Sequence, residues 1–304
     1  MLSVDISRYV ELHRAMGLKF RLQAGLLRHF AAFAEPRGDV WVRTETVLVW
    51  AAEAPSAAQR RQRLLVVRRF ALQMQAEDER YEVPPALAFG KPKRERRMAH
   101  IYSSDEIRRL LDAAAQLTPR RSIRPATYMT LFALIASTGL RISEALALQL
   151  SDFTGPGLVV RNTKFRKSRL VPLHATARCG LERYLALRRR VHGADASFFV
   201  STGGSGLCHS TVYSVFLQLV RSAGLRQGPG FPGPCIHDLR HTFAVRALER
   251  CGGSDEEIAR HVLALSTYLG HAHPSDTYWY LQATPKLMES IGHRSESLFE
   301  GGGA

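Results

Sequence analysis

Apolar positions recur at helical spacing along most of the first 86 residues. Val4 to Met16 and Leu22 to Phe33 each read as one amphipathic helix. Thr44 is placed to cap a short helix through Glu53, which Pro55 ends. A long helix follows from about Ser56 to Glu77, with Val67, Phe70, Ala71 and Met74 as its apolar stripe. Arg61, Arg68 and Arg69 point away from that stripe. They form either a solvated face or one that tracks a nucleic-acid backbone. Pro84 and Pro85 stop the helix, and Gly90 and Pro92 keep the chain extended. Within this stretch Lys91, Lys93, Arg94, Arg96 and Arg97 surround a single acid, Glu95, so residues 87–101 read as a basic linker.

Beyond the linker the pattern changes from all-helical to mixed. Ser103 and Glu106 have capping-box spacing ahead of a helix from Ile107 to Leu117. A strongly apolar helix from about Pro125 to Ser137 reads as buried, and Gly139 suits its C-terminal cap. Arg141 to Gln149 is a further amphipathic helix. Leu158-Val159-Val160 and Leu170-Val171-Pro172-Leu173 read as two short strands joined by a basic turn, Asn162 to Arg169. Helices are predicted at about Thr176–Arg190, Ser210–Ser222, His237–Cys251 and Asp255–Leu269. The expected fold is mainly α with a small β-hairpin sheet, in two domains.

Charge narrows the partners. Lys and Arg total 42 against 27 Asp and Glu, a formal net charge of +15, which points to a polyanion. No stretch approaches the ~20 apolar residues of a membrane span. The first residues lack a signal-peptide layout. Cys179, Cys208, Cys235 and Cys251 have no close CxxC pairing and read as reduced, mostly structural thiols. His261, His271 and His273 have no Cys or acid to complete a metal set, so neither metal nor cofactor is expected.

The chemistry gathers at Ile236 to Thr242. If this stretch opens a helix, His237 and Arg240 lie three residues apart on one face. They then sit at a helix N-terminus, where free N–H groups and the dipole favour an anion. An imidazole and a guanidinium together there suggest a phosphate site.

These residues belong to a series that resembles the tyrosine recombinases, or phage-type integrases. The resemblance is close from about Tyr102 to Thr284 and extends to the N-terminal part only in helical character. Thr138-Gly139-Leu140-Arg141-Ile142-Ser143-Glu144 is similar to the family's first arginine box. The basic turn before Arg169-Leu170-Val171-Pro172-Leu173 resembles its β-hairpin lysine segment. His237-Asp238-Leu239-Arg240 resembles the His-x-x-Arg box, and Leu269-Gly270-His271 the second histidine box. Tyr280 follows nine residues later, where the family has its nucleophile. The turn lacks the family's common Gly-Lys-Gly run. The interval from Arg240 to His271, with Gly252-Gly253-Ser254 inside it, is longer than in many relatives.

The resemblance implies an all-α core-binding domain over 1–86 and an integrase-type catalytic domain with a C-terminal tail over 102–304. Together they would clamp double-stranded DNA. It implies that Tyr280 attacks a phosphodiester and forms a 3′-phosphotyrosyl bond, with Tyr278 the rival nucleophile. Arg141, Arg240 and His271 would hold the phosphate, and His237 would take the phenol proton. Lys164 would protonate the leaving 5′-oxygen, with Lys167 as its rival. Glu144 would orient these groups. Arg166, Lys167 and Arg169 would join Arg61, Arg68, Arg69, Lys91, Lys93, Arg94, Arg96 and Arg97 in contacting DNA. Neither metal nor ATP is needed. The implied assembly is a tetramer on two DNA sites, monomeric or weakly associated when free, in the cytoplasm and on the nucleoid when bound. Pro285 to Ile291 is expected to form a short amphipathic helix that docks on a neighbouring protomer. The alternatives are a type IB topoisomerase-like nicking-closing enzyme and a catalytically silent DNA-binding regulator.

Overall fold

The computed structural model describes residues 1–91, 98–161, 168–228, 233–250 and 255–270. The chain divides into two compact units, Met1–Arg96 and Arg97–Ala304.

In the first unit four helices surround one core: α1 (Leu2–Ala15), α2 (Arg21–Ala34), α3 (Thr44–Ala52) and α4 (Ala57–Gln75). Leu2, Ile6, Leu27, Phe30, Trp50 and Phe70 are fully buried there. Each such side chain contributes ~1.5–3 kcal/mol relative to exposure. Ser56 caps α4, accepting from the Gln59 amide. The stripe predicted for α4 is its buried face, extended by Leu64. Thr44, expected as a cap, is the first helical residue instead. Arg43 enters extended, and the Thr44 amide donates to Glu82 Oε2 at 2.7 Å. A carboxylate remote in sequence therefore supplies this cap.

The α4 arginines divide. Arg61 Nη1 donates to the carbonyls of Ala86 and Gly90, and Arg68 Nη1 to that of Pro84. Both guanidinium groups thus fasten the extended segment after α4, where sequence spacing alone placed them on an outward face. Arg69 and Lys91 are exposed.

The second unit contains α5 (Ser104–Ala115), α6 (Arg124–Thr138), α7 (Ile142–Ala147), β1 (Gly157–Val160), β2 (Arg169–Pro172), α8 (Ala175–Arg188), α9 (His209–Ser222), α10 (Ile236–Glu249) and α11 (Asp255–Leu269). The capping box at Ser103 is present in both directions. Helix α6 is central: it packs on α5, α8 and α10, and buries Tyr128, Leu131, Phe132, Leu134 and Ile135. The strands pair antiparallel, with Leu158 opposite Val171 and Val160 opposite Arg169. Leu158, Val160 and Val171 are buried. A second apolar cluster joins α10 to α11 through Ala244, Val245, Leu248, Val262, Leu265 and Leu269.

Helix α10 starts one residue earlier than expected, with Cys235 as its N-cap. Asp238 Oδ2 accepts from the Cys235 amide at 2.9 Å. Tyr102, before α5, donates its amide to Thr242 Oγ1 at 2.9 Å and accepts from Arg246 at its carbonyl. These bonds fix the rotation of α10. Cys179 and Cys208 are exposed free thiols, not core residues; Cys251 lies outside the described residues. No helix among the described residues is long and apolar enough to cross a membrane.

Candidate active site

Glycine sets the approach of three helices. Helix α6 ends at Gly139 in the left-handed conformation (φ +63°). A Cβ there would lie 2.5 Å from Phe243 Cδ1 on α10 and 3.0 Å from Leu269 Cδ2 on α11. Only glycine allows both the turn and this packing. Two residues later Arg141 is extended, and α7 begins at Ile142. Glu144, at the third position of α7, accepts the Arg141 amide at 3.1 Å.

The arginines converge on the C-terminal end of α11, where backbone carbonyls lack helical partners. Arg240 is 1% exposed. Its Nη1 donates to the Gly139 carbonyl at 2.6 Å and its Nη2 to the Leu269 carbonyl at 2.7 Å. Arg141 Nη1 reaches the same Leu269 oxygen at 3.4 Å, and its Nη2 reaches the Gly270 carbonyl at 3.2 Å. Arg169, from β2, donates Nε to the Tyr268 carbonyl at 2.8 Å. Three guanidinium groups thus cap three successive carbonyls, and the negative end of the helix dipole favours them there.

Glu144 is the acid among these cations. It accepts from Arg141 Nη1 at 2.8 Å, and from Arg169 Nη1 and Nη2 at 3.1 and 2.8 Å. Burial alone would raise its pKa, but the Arg169 and Arg141 hydrogen bonds and charge outweigh that and hold it at about 2. Glu144 is therefore a buried, doubly paired carboxylate. Its bond to Arg141 is a buried contact, not a surface ion pair.

His237 occupies the first turn of α10, with its ring 4.4 Å from that of His241 in an edge-on contact. Desolvation and the nearby Arg240 and Arg141 cations lower its pKa, against the opposing pull of Asp238. The imidazole is thereby biased towards its neutral form, which accepts a proton. Burial pushes the Tyr268 phenol up to about 12, over the opposing effect of Arg169 and Arg240. Tyr268, stacked on Phe243 at 5.6 Å, therefore stays protonated.

Of the residues singled out from sequence, Arg141, Glu144, His237 and Arg240 come together here. Arg169, expected to face DNA, is turned inward onto Glu144 and the end of α11. Sequence reasoning missed this role, although strand alternation puts Arg169 on the same face as buried Val171. Gly270 was read only as part of a box. Its φ of +67° and its closeness to Arg169 Nη1, 2.8 Å from where a Cβ would be, give it a physical reason. Lys164, Arg166, Lys167, His271, Tyr278 and Tyr280 lie outside the described residues, as do Lys93, Arg94, Arg96, Arg97 and the 285–291 segment.

Comparison with known proteins adds an independent line. The model of the phage integrase family matches residues 101–286. The integrase/recombinase y4rB of Sinorhizobium fredii is 40% identical over 308 residues, covering 97% of each chain. The tyrosine recombinase XerD of Oceanobacillus iheyensis is 31% identical over 212 residues, covering 68% of this chain and 65% of its own. Among solved structures, a lambda integrase tetramer bound to a Holliday junction superimposes with a TM-score of 0.65 at 17% identity, over 92% of this chain and 76% of that one.

Proposed function

The chain belongs to the phage integrase family, whose relatives are site-specific recombinases, and from that premise we propose that it cleaves and rejoins DNA strands through a 3′-phosphotyrosyl intermediate at Tyr280. The observation that carries this reading is the convergence of Arg141 and Arg240 on one carbonyl oxygen, with neutral-leaning His237 within range of both charges. A phosphodiester carries one negative charge, and attack by a phenolate adds another in the transition state. Two guanidinium forks give paired donors to the non-bridging oxygens. Losing one such preorganised donor typically costs on the order of 10²–10³ in rate. When phosphate arrives it takes the place of the Leu269 and Gly270 carbonyls as acceptor. The donors on those carbonyls are thus held in reserve by neutral groups, while Arg141 Nη1 also stays on the Glu144 carboxylate.

His237 takes the Tyr280 proton, His271 donates to a phosphate oxygen, and Lys164 protonates the departing 5′-oxygen. The covalent bond conserves the phosphodiester energy, so rejoining needs no ATP. Arg69, Lys91 and the basic linker supply contacts to the DNA backbone. The lambda integrase structure is of a tetramer on a Holliday junction, and the same assembly on two DNA sites is the working form proposed here. The setting is the cytoplasm, on nucleoid DNA. Residues 1–86 form the core-binding part, 87–101 the linker and 102–304 the catalytic part.

A nicked suicide substrate tests the reading. Incubation in EDTA should trap a protein–DNA adduct that resists denaturation. A protein that binds the DNA but forms no adduct is the silent regulator instead. An adduct formed on any duplex, with relaxation of supercoils, is the topoisomerase.

A further inference from the structure

Arg169 is the cation in this cluster without a proposed part in the chemistry. All three of its guanidinium nitrogens donate inside the protein. Its Nη1 and Nη2 form a fork on the two Glu144 oxygens, and its Nε holds the Tyr268 carbonyl. Its side chain is 14% exposed. Gly270 lies against the guanidinium: a Cβ there would meet Nη1 at 2.8 Å, Cζ at 3.1 Å and Nε at 3.4 Å. Arg169 therefore sits wedged between a carboxylate on α7 and the last residues of α11.

Two consequences follow from that wedge. The first concerns Arg141. Glu144 Oε1 is shared by Arg141 and Arg169. With Arg169 neutralising the carboxylate, Glu144 holds Arg141 by a shared oxygen and leaves Arg141 Nη2 on the weaker, neutral Gly270 carbonyl. Without Arg169, Arg141 would be the one guanidinium left on this buried carboxylate among the described residues. The carboxylate would then compete with phosphate for the whole fork. The second concerns the chain after α11. Arg169 fixes the Tyr268 carbonyl and packs on Gly270, the residue immediately before His271, so β2 sets where the following segment starts.

We propose that Arg169 is a positioning residue for strand cleavage, which keeps Arg141 available to phosphate by occupying Glu144 and anchors the end of α11 from which His271 and Tyr280 follow. The inference rests on the strand-cleavage reading above. It differs from the DNA-contact role that the sequence suggested, because a buried fork on Glu144 adds nothing to backbone binding.

The test uses the full-length protein on the nicked suicide substrate, with single-turnover cleavage and DNA binding by mobility shift measured separately. Arg169→Gln removes the charge and the fork. It should bind DNA within about threefold of the wild type and cleave on the order of 10²-fold more slowly, the cost of misplaced reacting groups. Glu144→Gln/Arg169→Gln removes both buried partners, and should recover about tenfold of the lost rate through the coupling expected of contacting charges. Arg169→Lys keeps the charge without the fork and should fall between. If Arg169→Gln fails to fold, the double variant, which leaves no unpaired carboxylate, provides the comparison with the wild type and with Glu144→Gln. There the proposal requires slower cleavage by the double variant than by Glu144→Gln, because the Arg169 anchor on the Tyr268 carbonyl is lost while no carboxylate competes for Arg141 in either.

Three results would overturn the inference while leaving the strand-cleavage reading intact. One is Arg169→Gln cleaving at the wild-type rate. Another is its binding falling in parallel with its rate, which makes Arg169 a DNA contact. The third is a double variant no faster than the single one, which reduces Arg169 to packing. A wild-type protein that leaves no adduct overturns the strand-cleavage reading and this inference together.

Discussion

Replacing Glu144 by Gln isolates the charge at the centre of the arginine cluster. The carboxylate accepts four hydrogen bonds, from the Arg141 amide, Arg141 Nη1 and both Arg169 Nη atoms. Gln keeps the shape but not the charge, and can offer only one of its two terminal atoms as an acceptor. The size of the loss follows from the pKa. A carboxyl held at about 2 in place of 4.5 corresponds to ~3 kcal/mol of stability at neutral pH. Breaking a buried ion pair by removing one partner costs ~3–5 kcal/mol, in agreement. The sign is that of a depressed acid. The stabilisation is complete above pH 4.5 and is lost as pH falls towards about 2. Urea unfolding followed by far-UV circular dichroism should therefore show Glu144→Gln less stable by ~3 kcal/mol at pH 7, with unchanged slope. The gap should narrow to ~2 kcal/mol near pH 3.5, where the wild-type carboxylate begins to lose its advantage. A gap within ~0.5 kcal/mol at pH 7, as for a surface pair, or a gap that does not narrow in acid, would refute the reasoning.

Three further outcomes are expected. Gly139→Ala should destabilise by ~2–3 kcal/mol in the same unfolding assay, because it combines left-handed strain with a Cβ 2.5 Å from Phe243; a change below ~0.5 kcal/mol would mean that α10 shifts freely. The acid limb of the single-turnover cleavage profile should lie below the ordinary histidine value, because the lowered His237 pKa keeps the base neutral until more acid pH; a limb at or above that value contradicts His237 as the base. Lys164→Ala should cleave ordinary DNA poorly but regain activity on a 5′-bridging phosphorothiolate, whose thiolate leaves without a proton; rescue of Lys167→Ala instead would transfer the acid role.

The helices were legible in the sequence because apolar spacing and caps are local signals. The Ser103–Glu106 capping box formed as read, and α11 has the bounds its pattern indicated. Gly139 was legible for the same reason: a helix ending in a left-handed residue needs glycine. The grouping of His237 with Arg240 came from one turn of helix. What stayed hidden depends on partners distant in the chain. Arg169 looked like a DNA contact because it ends a basic turn, and its counter-charge Glu144 lies 25 residues away. Strand alternation held the clue, but exposed Leu170 and inward Arg169 reverse the usual assignment of apolar and charged residues to faces. The α4 arginines misled in the same way. Their spacing gives an outward face, yet Arg61 and Arg68 bond to carbonyls of a segment that only the folded chain brings back. Thr44 was the right residue type for a cap, but Glu82 does that work.

The most direct test of a tyrosine-mediated strand transfer is to identify the residue that becomes joined to DNA. Wild-type protein trapped on a nicked suicide substrate is digested with protease and nuclease, and the nucleotide-bearing peptide is sequenced by mass spectrometry. The expected result is a 3′-phosphonucleotide on Tyr280, and no adduct from Tyr280→Phe despite normal DNA binding. A nucleotide on Tyr278, or an undiminished adduct from Tyr280→Phe, would contradict it.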